Sequence, residues 1–347
     1  MKQQNETKLN VLHFGLGPIG LEIMQKTSEV HQLDIVAAVD IDPNKIGKDI
    51  GELIGTEQKG VKVTAGLEQI PSLPNDVPKV AIHATGSNLE NVWPQIKQLL
   101  DHGYSVVSTC EELSYPWHRY PQLAKEMNIY AEQKGLAVIG TGVNPGFIMD
   151  TMTLCFTSVV NEVNDIKVTR KVDVSKRRVP LQKKVGVTMT EEAFYNLAKE
   201  NKIGHVGLEE SARLIAYGLG IELTSVTNTI HPTIADSDIE LALGSLQKGQ
   251  VSGQHQVVEA KTTDGRTITL ELIMSVAVTQ EDRIELIGNE PLELVVPNGI
   301  FGDTATAAMA INTAKLIGTS HFVGIVTMAD IKLSRNLNLA ASKLITT

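Results

Sequence analysis

The sequence predicts an α/β protein in which a Rossmann-type parallel sheet is interrupted by an inserted α+β domain. Three observations predict it. A glycine-rich turn directly follows the first apolar run, strand-like and helix-like segments then alternate to about residue 143, and a differently patterned stretch of strands precedes an Ala/Thr-rich helix. At 347 residues the chain has room for both parts, because single domains usually run to about 100–200 residues. The expected division is 1–143 with 304–347 for the dinucleotide-binding domain and 144–303 for the insertion.

Each element has its own signal. Leu9–Phe14 is a short apolar run ending in glycines, and Ile19–Lys26 continues with helical character. Leu33–Val39 reads Leu-Asp-Ile-Val-Ala-Ala-Val and stops at Asp40, like a parallel strand buried on both faces. The alternation continues with Val80–Ala84 as a strand, Asn91–His102 as a helix closed by Gly103, and Ser105–Ser108 as the next strand. Tyr120–Lys134 is a helix closed by Gly135, and Leu136–Ile139 is a strand leading into Gly140-Thr141-Gly142. A loop at Asn144–Phe147 and an apolar helix to about Val159 mark the crossing between domains. Beyond it, Asp165–Val174 and Val179–Val187 read as strands, Thr190–Glu200 and Leu208–Leu219 as amphipathic helices, and Ile221–Ile230 as a strand. Val251–Thr262 and Arg266–Ala277 flank Asp264-Gly265, a strong hairpin signal. Glu281–Ile287 and Leu292–Val296 extend an open antiparallel or mixed sheet with helices on one face. Thr304–Ile317 is a close-packing helix that returns the chain to the first domain.

Composition narrows the function. A net charge of −9, from 31 basic and 40 acidic residues spread along the chain, offers a nucleic-acid backbone little attraction. No apolar run is long enough for a membrane span, and the polar opening MKQQNETKL reads as a frayed leader to the first strand rather than a secretory signal. The two cysteines, Cys110 and Cys155, make no metal-ligand spacing or disulfide framework. The expectation is a cytoplasmic protein with no metal site and no nucleic-acid or membrane partner.

The run Gly15-Leu16-Gly17-Pro18-Ile19-Gly20 is a GxGxxG sequence at the mouth of the first helix. Its first glycine permits a tight turn, the second lets backbone approach a pyrophosphate, and the third lets helix and strand pack closely. Phosphate charge would meet unpaired N–H groups at the helix N-terminus, where Pro18 is tolerated because its missing N–H is not needed. Asp40 ends the second strand, where a carboxylate accepts hydrogen bonds from an adenosine ribose and repels a 2′-phosphate. NAD(H) is therefore favoured, while Lys45 leaves NADP(H) open.

In an open parallel sheet the chemistry belongs outside the carboxyl ends of the strands. Three loops qualify there: Thr85-Gly86-Ser87-Asn88, Ser108-Thr109-Cys110-Glu111-Glu112, and Gly140 to Phe147. Thr85, Gly86, Ser108, Thr109 and Asn144 are the expected cofactor contacts beyond the glycine turn, and Asn144, Pro145 and Phe147 are expected to reach substrate. Glu111 and Glu112 are the candidate catalytic carboxylates, with Glu111 preferred; capping of the next helix is the other reading for both. Adjacent acids suit an amine, because an ammonium substrate must lose a proton before hydride leaves carbon and the iminium must then take up water. A negative pocket also favours the cationic substrate and iminium.

Lys176-Arg177-Arg178 precedes Val179-Pro180, and Arg177 and Arg178 are the candidates for gripping a substrate carboxylate bidentately; a solvated turn is the other reading. His231 and His255 read as packed or exposed rather than catalytic.

The stretches Gly15–Gly20, Ser108–Pro116, Gly142–Phe147, Lys176–Gln182 and Asn298–Asp303 resemble the 2,4-diaminopentanoate dehydrogenases and the related native amine dehydrogenases, within the dihydrodipicolinate-reductase-like group. The resemblance spans nearly the whole chain. It implies reversible oxidative deamination of a small amine, 2,4-diaminopentanoate first, with keto product and ammonia as the other partners. It also implies a homodimer using NAD or NADP, an inserted domain serving both substrate binding and dimerisation, and a glutamate in Cys110-Glu111-Glu112 that assists reaction at the amine carbon. Reductive amination of simple ketones or aldehydes is the near alternative, and a nonenzymatic NAD sensor the distant one. Homoserine dehydrogenase and dihydrodipicolinate reductase chemistry are disfavoured, since neither a lysine near Glu111 nor a histidine-rich motif in the insertion is present.

Overall fold

The computed structural model describes residues 8–74, 77–334 and 336. The leader expected over the first nine residues lies outside them except for Lys8 and Leu9. In chain order the main elements are β1 (Leu9–Phe14), α1 (Pro18–Ser28), β2 (Leu33–Val39), β3 (Val63–Thr64), β4 (Lys79–His83), α2 (Leu89–Asp101), β5 (Ser105–Ser108), α3 (Pro121–Lys134) and β6 (Ala137–Gly140). There follow α4 (Thr151–Thr157), β7 (Asp165–Asp173), α5 (Val179–Lys184), α6 (Glu191–Lys199), α7 (Leu208–Gly218), β8 (Leu223–Ile234), β9 (Ile239–Leu241) and β10 (Gly244–Leu246). The chain closes with β11 (Val251–Thr262), β12 (Thr267–Ser275), β13 (Glu281–Ile287), β14 (Leu292–Pro297), α8 (Gly302–Gly318) and β15 (Gly324–Val326).

Two compact units result, one formed by the residues up to Phe147 together with those from Gly302, the other by Ile148–Phe301. The first is a seven-stranded parallel sheet in the order β15-β6-β5-β4-β1-β2-β3. The chain runs outward from β1 to β2 and β3, then returns to β4 and proceeds the other way. The carboxyl ends of β1 and β4 therefore flank the point where strand order reverses, and a crevice opens there in sheets of this kind. Val80 to His83 are all buried, as strands covered on both faces require.

Helix α2 buries Leu89, Val92, Trp93, Ile96, Leu99 and Leu100, a spacing that sets one apolar stripe against the sheet. These side chains meet Met127 and Ala131 of α3 and Leu12, Ala81, Val106 and Val138 of the strands. Asn88 caps α2 by accepting the Asn91 N–H at 3.0 Å, and Gly135 ends α3 with φ +67°. Helix α8 packs against α1, β4 and β5, so the Ala/Thr-rich segment does join the parallel-sheet unit.

The second unit is a mixed six-stranded sheet ordered β14-β13-β7-β12-β11-β8, with β7 and β12 parallel and every other pair antiparallel. The β11–β12 hairpin forms at Asp264-Gly265, where Gly265 takes φ +89° and Thr262 Oγ1 donates to Asp264 at 2.6 Å. One sheet face, carrying Ile166, Val168, Val258, Leu270, Leu272 and Ile284, is buried, and α6 and α7 pack against its strands. The other face carries a ladder of Lys167, Lys171, Glu271, Glu281, Arg283 and Glu285 around a hollow of about 540 Å³.

Several expectations need correction. Val179–Val187 is not a strand: Val179–Lys184 is helix α5, because Pro180 lies in its first turn, where a fixed φ and a missing N–H favour a helix start. The apolar helix expected to reach Val159 stops at Thr157. Strand β15 and the β9–β10 hairpin are three-residue strands that carry no periodic signal.

Candidate active site

The glycine turn has the shape that its sequence demands. Gly15 sits at φ +90°, and a Cβ there would lie 2.6 Å from Thr85 Cγ2 and 2.7 Å from the Ala84 carbonyl oxygen. A Cβ on Gly20 would lie 2.0 Å from the Gly15 carbonyl oxygen, so α1 approaches β1 as closely as it does only with glycine at that position. A Cβ on Gly17, in contrast, would meet nothing within 4 Å. Gly17 also stands at the N-cap of α1 with no side chain bonded over the helix end, and Pro18 follows it. The first turn of an 11-residue helix thus offers bare backbone N–H groups to a phosphate.

Asp40 faces this turn. Its carboxylate accepts the Leu16 N–H at 2.6 Å and the Asp42 N–H at 2.8 Å, and Lys45 Nζ lies 3.5 Å away. The two backbone bonds fix the carboxylate beside the glycine turn, with lone pairs remaining for ribose hydroxyls. A turn closed to any side chain at two glycines and open at the third, with an acid alongside, fits a dinucleotide.

The other loops at the carboxyl edge of the first unit converge on the same end of the sheet. Thr109 N–H bonds the His83 carbonyl at 3.0 Å, Thr141 N–H bonds the Ser108 carbonyl at 2.9 Å, and Glu112 N–H reaches the Ser87 carbonyl at 3.4 Å. A Cβ on Gly140 would lie 2.7 Å from the Leu113 carbonyl carbon and the Ser114 nitrogen, so β6 ends tight against the short 3₁₀ turn Glu111–Ser114. Asn144 and Pro145 are buried and joined by a cis peptide, Phe147 is half-buried, and the Val143 N–H bonds Thr306 Oγ1 at 3.3 Å.

The two glutamates have different surroundings. Glu112 is 6% exposed, and its Oε2 accepts the Leu89 N–H at 2.7 Å and the Tyr120 hydroxyl at 2.9 Å, with an Arg119 nitrogen 3.9 Å from Oε1. It therefore closes the N-terminus of α2, the helix before it, rather than the one after it. Burial and the bond to Glu112 push the Tyr120 hydroxyl up to about 12. Glu111, one residue nearer the strand end, is half-buried. Between strand and turn, Cys110 is buried, its thiol donates to the Ser87 carbonyl at 3.2 Å, and burial pushes that thiol up to about 12.

Sequence reasoning passed over His83. It is the last residue of β4, fully buried, and its ring touches Ser108, Thr85 and Gln95. The signal was a polar residue at the end of a strand otherwise buried on both faces.

Arg177 and Arg178 belong to the second unit. Arg178 is exposed at the start of α5, whereas Arg177 is half-buried with its guanidinium 4.1 Å from the centre of the Phe301 ring. Beneath Phe301 lies an ion pair that the sequence did not advertise. Arg170 bonds both oxygens of Asp282 at 2.6 and 2.7 Å and the Ile300 carbonyl at 2.8 Å, while the Ile300 N–H returns to Asp282 at 2.7 Å. His231 lies 3.4 Å from the Tyr195 hydroxyl, and His255 is 2.8 Å from Glu271. Among the described residues no group of three or more histidine, cysteine or acidic side chains is arranged to hold a metal ion, and no helix is long and apolar enough to cross a membrane.

Comparison with known proteins decides the family. The model of the 2,4-diaminopentanoate dehydrogenase C-terminal domain matches residues 147–347, more than half of the chain. The chain belongs to the 2,4-diaminopentanoate dehydrogenase family. A family relative, the 2,4-diaminopentanoate dehydrogenase of Acetoanaerobium sticklandii, is 28% identical over 344 residues, covering 94% of each chain. In fold, the family chain is similar to an amine dehydrogenase from Mycobacterium smegmatis, with a TM-score of 0.82 at 22% identity, covering 94% of this chain and 97% of that one. A dihydrodipicolinate reductase from Paenisporosarcina sp. TG-14 aligns with a TM-score of 0.51 at 14% identity, over 94% of this chain and all of the other. The protein is an NAD(P)-dependent oxidoreductase that binds NAD(H), with the α/β architecture of this group.

Proposed function

We propose that the protein catalyses the reversible, NAD-dependent oxidative deamination of a small amine, with 2,4-diaminopentanoate as the first candidate and 2-amino-4-oxopentanoate and ammonia as its products. The observation that carries this reading is the pair of adjacent glutamates just beyond the carboxyl end of β5, on the side of the sheet where the dinucleotide turn lies. The Glu112 carboxylate holds the Leu89 N–H and the Tyr120 hydroxyl, and we assign proton handling to Glu111, one residue nearer the strand end.

Gly15, Gly17, Pro18, Ile19, Gly20 and Asp40 would hold the pyrophosphate and adenosine ribose, with Gly86, Thr109, Asn144 and the backbone of Thr85 and Ser108 toward the nicotinamide end, the hydroxyls of Thr85 and Ser108 being engaged by Gln95 and His83 instead. Bound there, the nicotinamide supplies the hydride acceptor. Glu111 takes a proton from the substrate ammonium, so that the nitrogen lone pair can drive hydride off the amine carbon. Glu111 releases that proton to solvent, then accepts a proton from the water that adds to the iminium carbon and returns it to the nitrogen of the resulting carbinolamine, so that ammonia leaves as the hydroxyl gives up its proton to solvent and the ketone forms. The fixed loop geometry supplies the orientation that this sequence needs.

Asp40 supports NADH over NADPH. The expected result of titrating each reduced cofactor is tighter NADH binding. Asp40→Ala should weaken NADH roughly ten- to a hundredfold, since bonds to a charged acceptor are worth about 1.5–3 kcal/mol, and should narrow the gap to NADPH. An unchanged affinity ratio would remove Asp40 as the discriminating group.

The function itself is tested by following reduced nicotinamide with 2,4-diaminopentanoate, 2-aminopentane and hydroxy acids as substrates. Turnover of hydroxy acids alone would end the amine reading. The structural likeness to an amine dehydrogenase favours simple amines as the second reading. Arg177 separates the two: stacking on Phe301 prepays part of the cost of holding its guanidinium, and we assign that group to a substrate carboxylate together with Arg178. Arg177→Ala should raise KM for the diamino acid at least tenfold and leave 2-aminopentane nearly unaffected, since a charge-assisted bond is worth about 1.5–3 kcal/mol. Equal effects on both substrates would favour the simple-amine reading. We further propose a cytoplasmic homodimer, to be checked by light scattering; a monomer would contradict it.

A further inference from the structure

His83 is fully buried, and both of its ring nitrogens are engaged. Nδ1 lies 2.9 Å from Ser108 Oγ, and Nε2 lies 2.8 Å from Gln95 Oε1 and 2.9 Å from Thr85 Oγ1. An acceptor selects the tautomer. Gln95 Oε1 can only accept, so Nε2 carries the ring proton toward it, and that oxygen also receives the Thr85 hydroxyl at 2.6 Å. Nδ1 is then the acceptor for the Ser108 hydroxyl, whose oxygen takes the Cys110 N–H at 3.0 Å. Burial pushes the ring down to about 4, so it stays neutral through the physiological range.

The two arms lead to different places. On the Nε2 side, Thr85 presses its methyl toward Gly15, where even a single added carbon would stand 2.6 Å away. On the Nδ1 side, Ser108 carries the backbone of Cys110, the residue that leads into Glu111. We propose that His83 is a positioning residue that, through its opposite ring nitrogens, holds the dinucleotide turn and the glutamate-bearing loop in one register. Its role toward the glutamate rests on the function proposed for Glu111, whereas its role toward the turn does not.

Amide side chains separate the arms, since asparagine approximates the Nδ1 position and glutamine the Nε2 position. Each variant is read in two ways that do not require turnover: NADH affinity by fluorescence, for the turn, and alkylation of Cys110 in a Cys155→Ser background, for the loop. His83→Asn is expected to weaken NADH binding on the order of fivefold with slow Cys110 labelling, while His83→Gln is expected to label faster by a similar factor with smaller loss of NADH affinity. Thr85→Val and Ser108→Ala break the same arms from outside the buried ring and should reproduce the Asn and Gln patterns respectively, so the proposal does not depend on the His83 variants folding. Single-turnover hydride transfer should fall further in His83→Gln and Ser108→Ala than in the other pair. Changes that fail to split between the arms, or wild-type behaviour in all four variants, would overturn the bridge and leave an ordinary core histidine. Glu111→Gln is run alongside: wild-type transfer there would remove the acid–base reading of Glu111 alone, and unsplit arms with an inactive Glu111→Gln would remove the bridge alone.

Discussion

Glu111→Gln is expected to reduce hydride transfer by about 10²–10⁴ while NADH binds as before, the range that general acid–base assistance supplies. Glutamine preserves the size and hydrogen-bonding reach of the side chain and removes only its ability to exchange a proton. The measurement is single-turnover reduction of nicotinamide at saturating amine and cofactor, because steady-state turnover can report product release instead. Glu112→Gln is the informative comparison. Its Oε2 accepts both the Leu89 N–H and the Tyr120 hydroxyl, and an uncharged amide oxygen in that position can still accept both, more weakly. Its principal effect should therefore be on stability, about 1–3 kcal/mol for weakening a buried acceptor. A Glu112 variant that loses more hydride transfer than the Glu111 variant would exchange the two assignments. Near-normal transfer in both would end carboxylate catalysis at this loop without touching the fold.

Asp282→Ala is expected to destabilise the second unit by about 3–5 kcal/mol, the usual consequence of leaving one partner of a buried ion pair behind. Arg170 and Asp282 have side chains 5% and 2% exposed, so water cannot replace the lost partner. The Ile300 N–H loses its acceptor as well, which loosens the segment leading to Phe301. Chemical denaturation followed by circular dichroism should show the second unit unfolding at lower denaturant. A companion Arg170→Met, Asp282→Leu variant removes both charges and should recover much of the loss, since apolar replacement of a complete buried pair is often neutral or better. A loss under about 1 kcal/mol in Asp282→Ala would mean that the pair is hydrated or dispensable. The double variant also tests whether stability and the support of Arg177 are separate: KM for the carboxylated amine should rise even where folding recovers, because the Arg170 bond to the Ile300 carbonyl is gone.

Much of the candidate site was legible along the chain because its parts are local. Gly15, Gly17 and Gly20 fall at the spacing of a dinucleotide turn between a strand and a helix, and Asp40 sits at the end of the next strand, so turn and acid are coupled through a single βαβ unit. Long apolar strands and amphipathic helices were legible for the same reason. Val179–Val187 misled because its valines stand at the two ends, at 179, 185 and 187, where they read as strand residues, while the Leu-Gln-Lys-Lys between them and the proline in the first turn favour helix.

By itself, the sequence determined an α/β fold with a dinucleotide turn, the position of the inserted sheet within the chain, and a pair of acids beyond a parallel strand. Those features depend on residue spacing within one or two neighbouring elements. Tertiary structure alone decided what the Glu112 carboxylate binds, because its partners Leu89 and Tyr120 lie 23 and 8 residues away. It likewise decided that Arg170 pairs with Asp282, 112 residues on, and that the His83 ring meets Ser108, 25 residues on. Buried polar groups must find partners wherever the packed chain supplies them, and no local periodicity records which strand end or loop will arrive opposite.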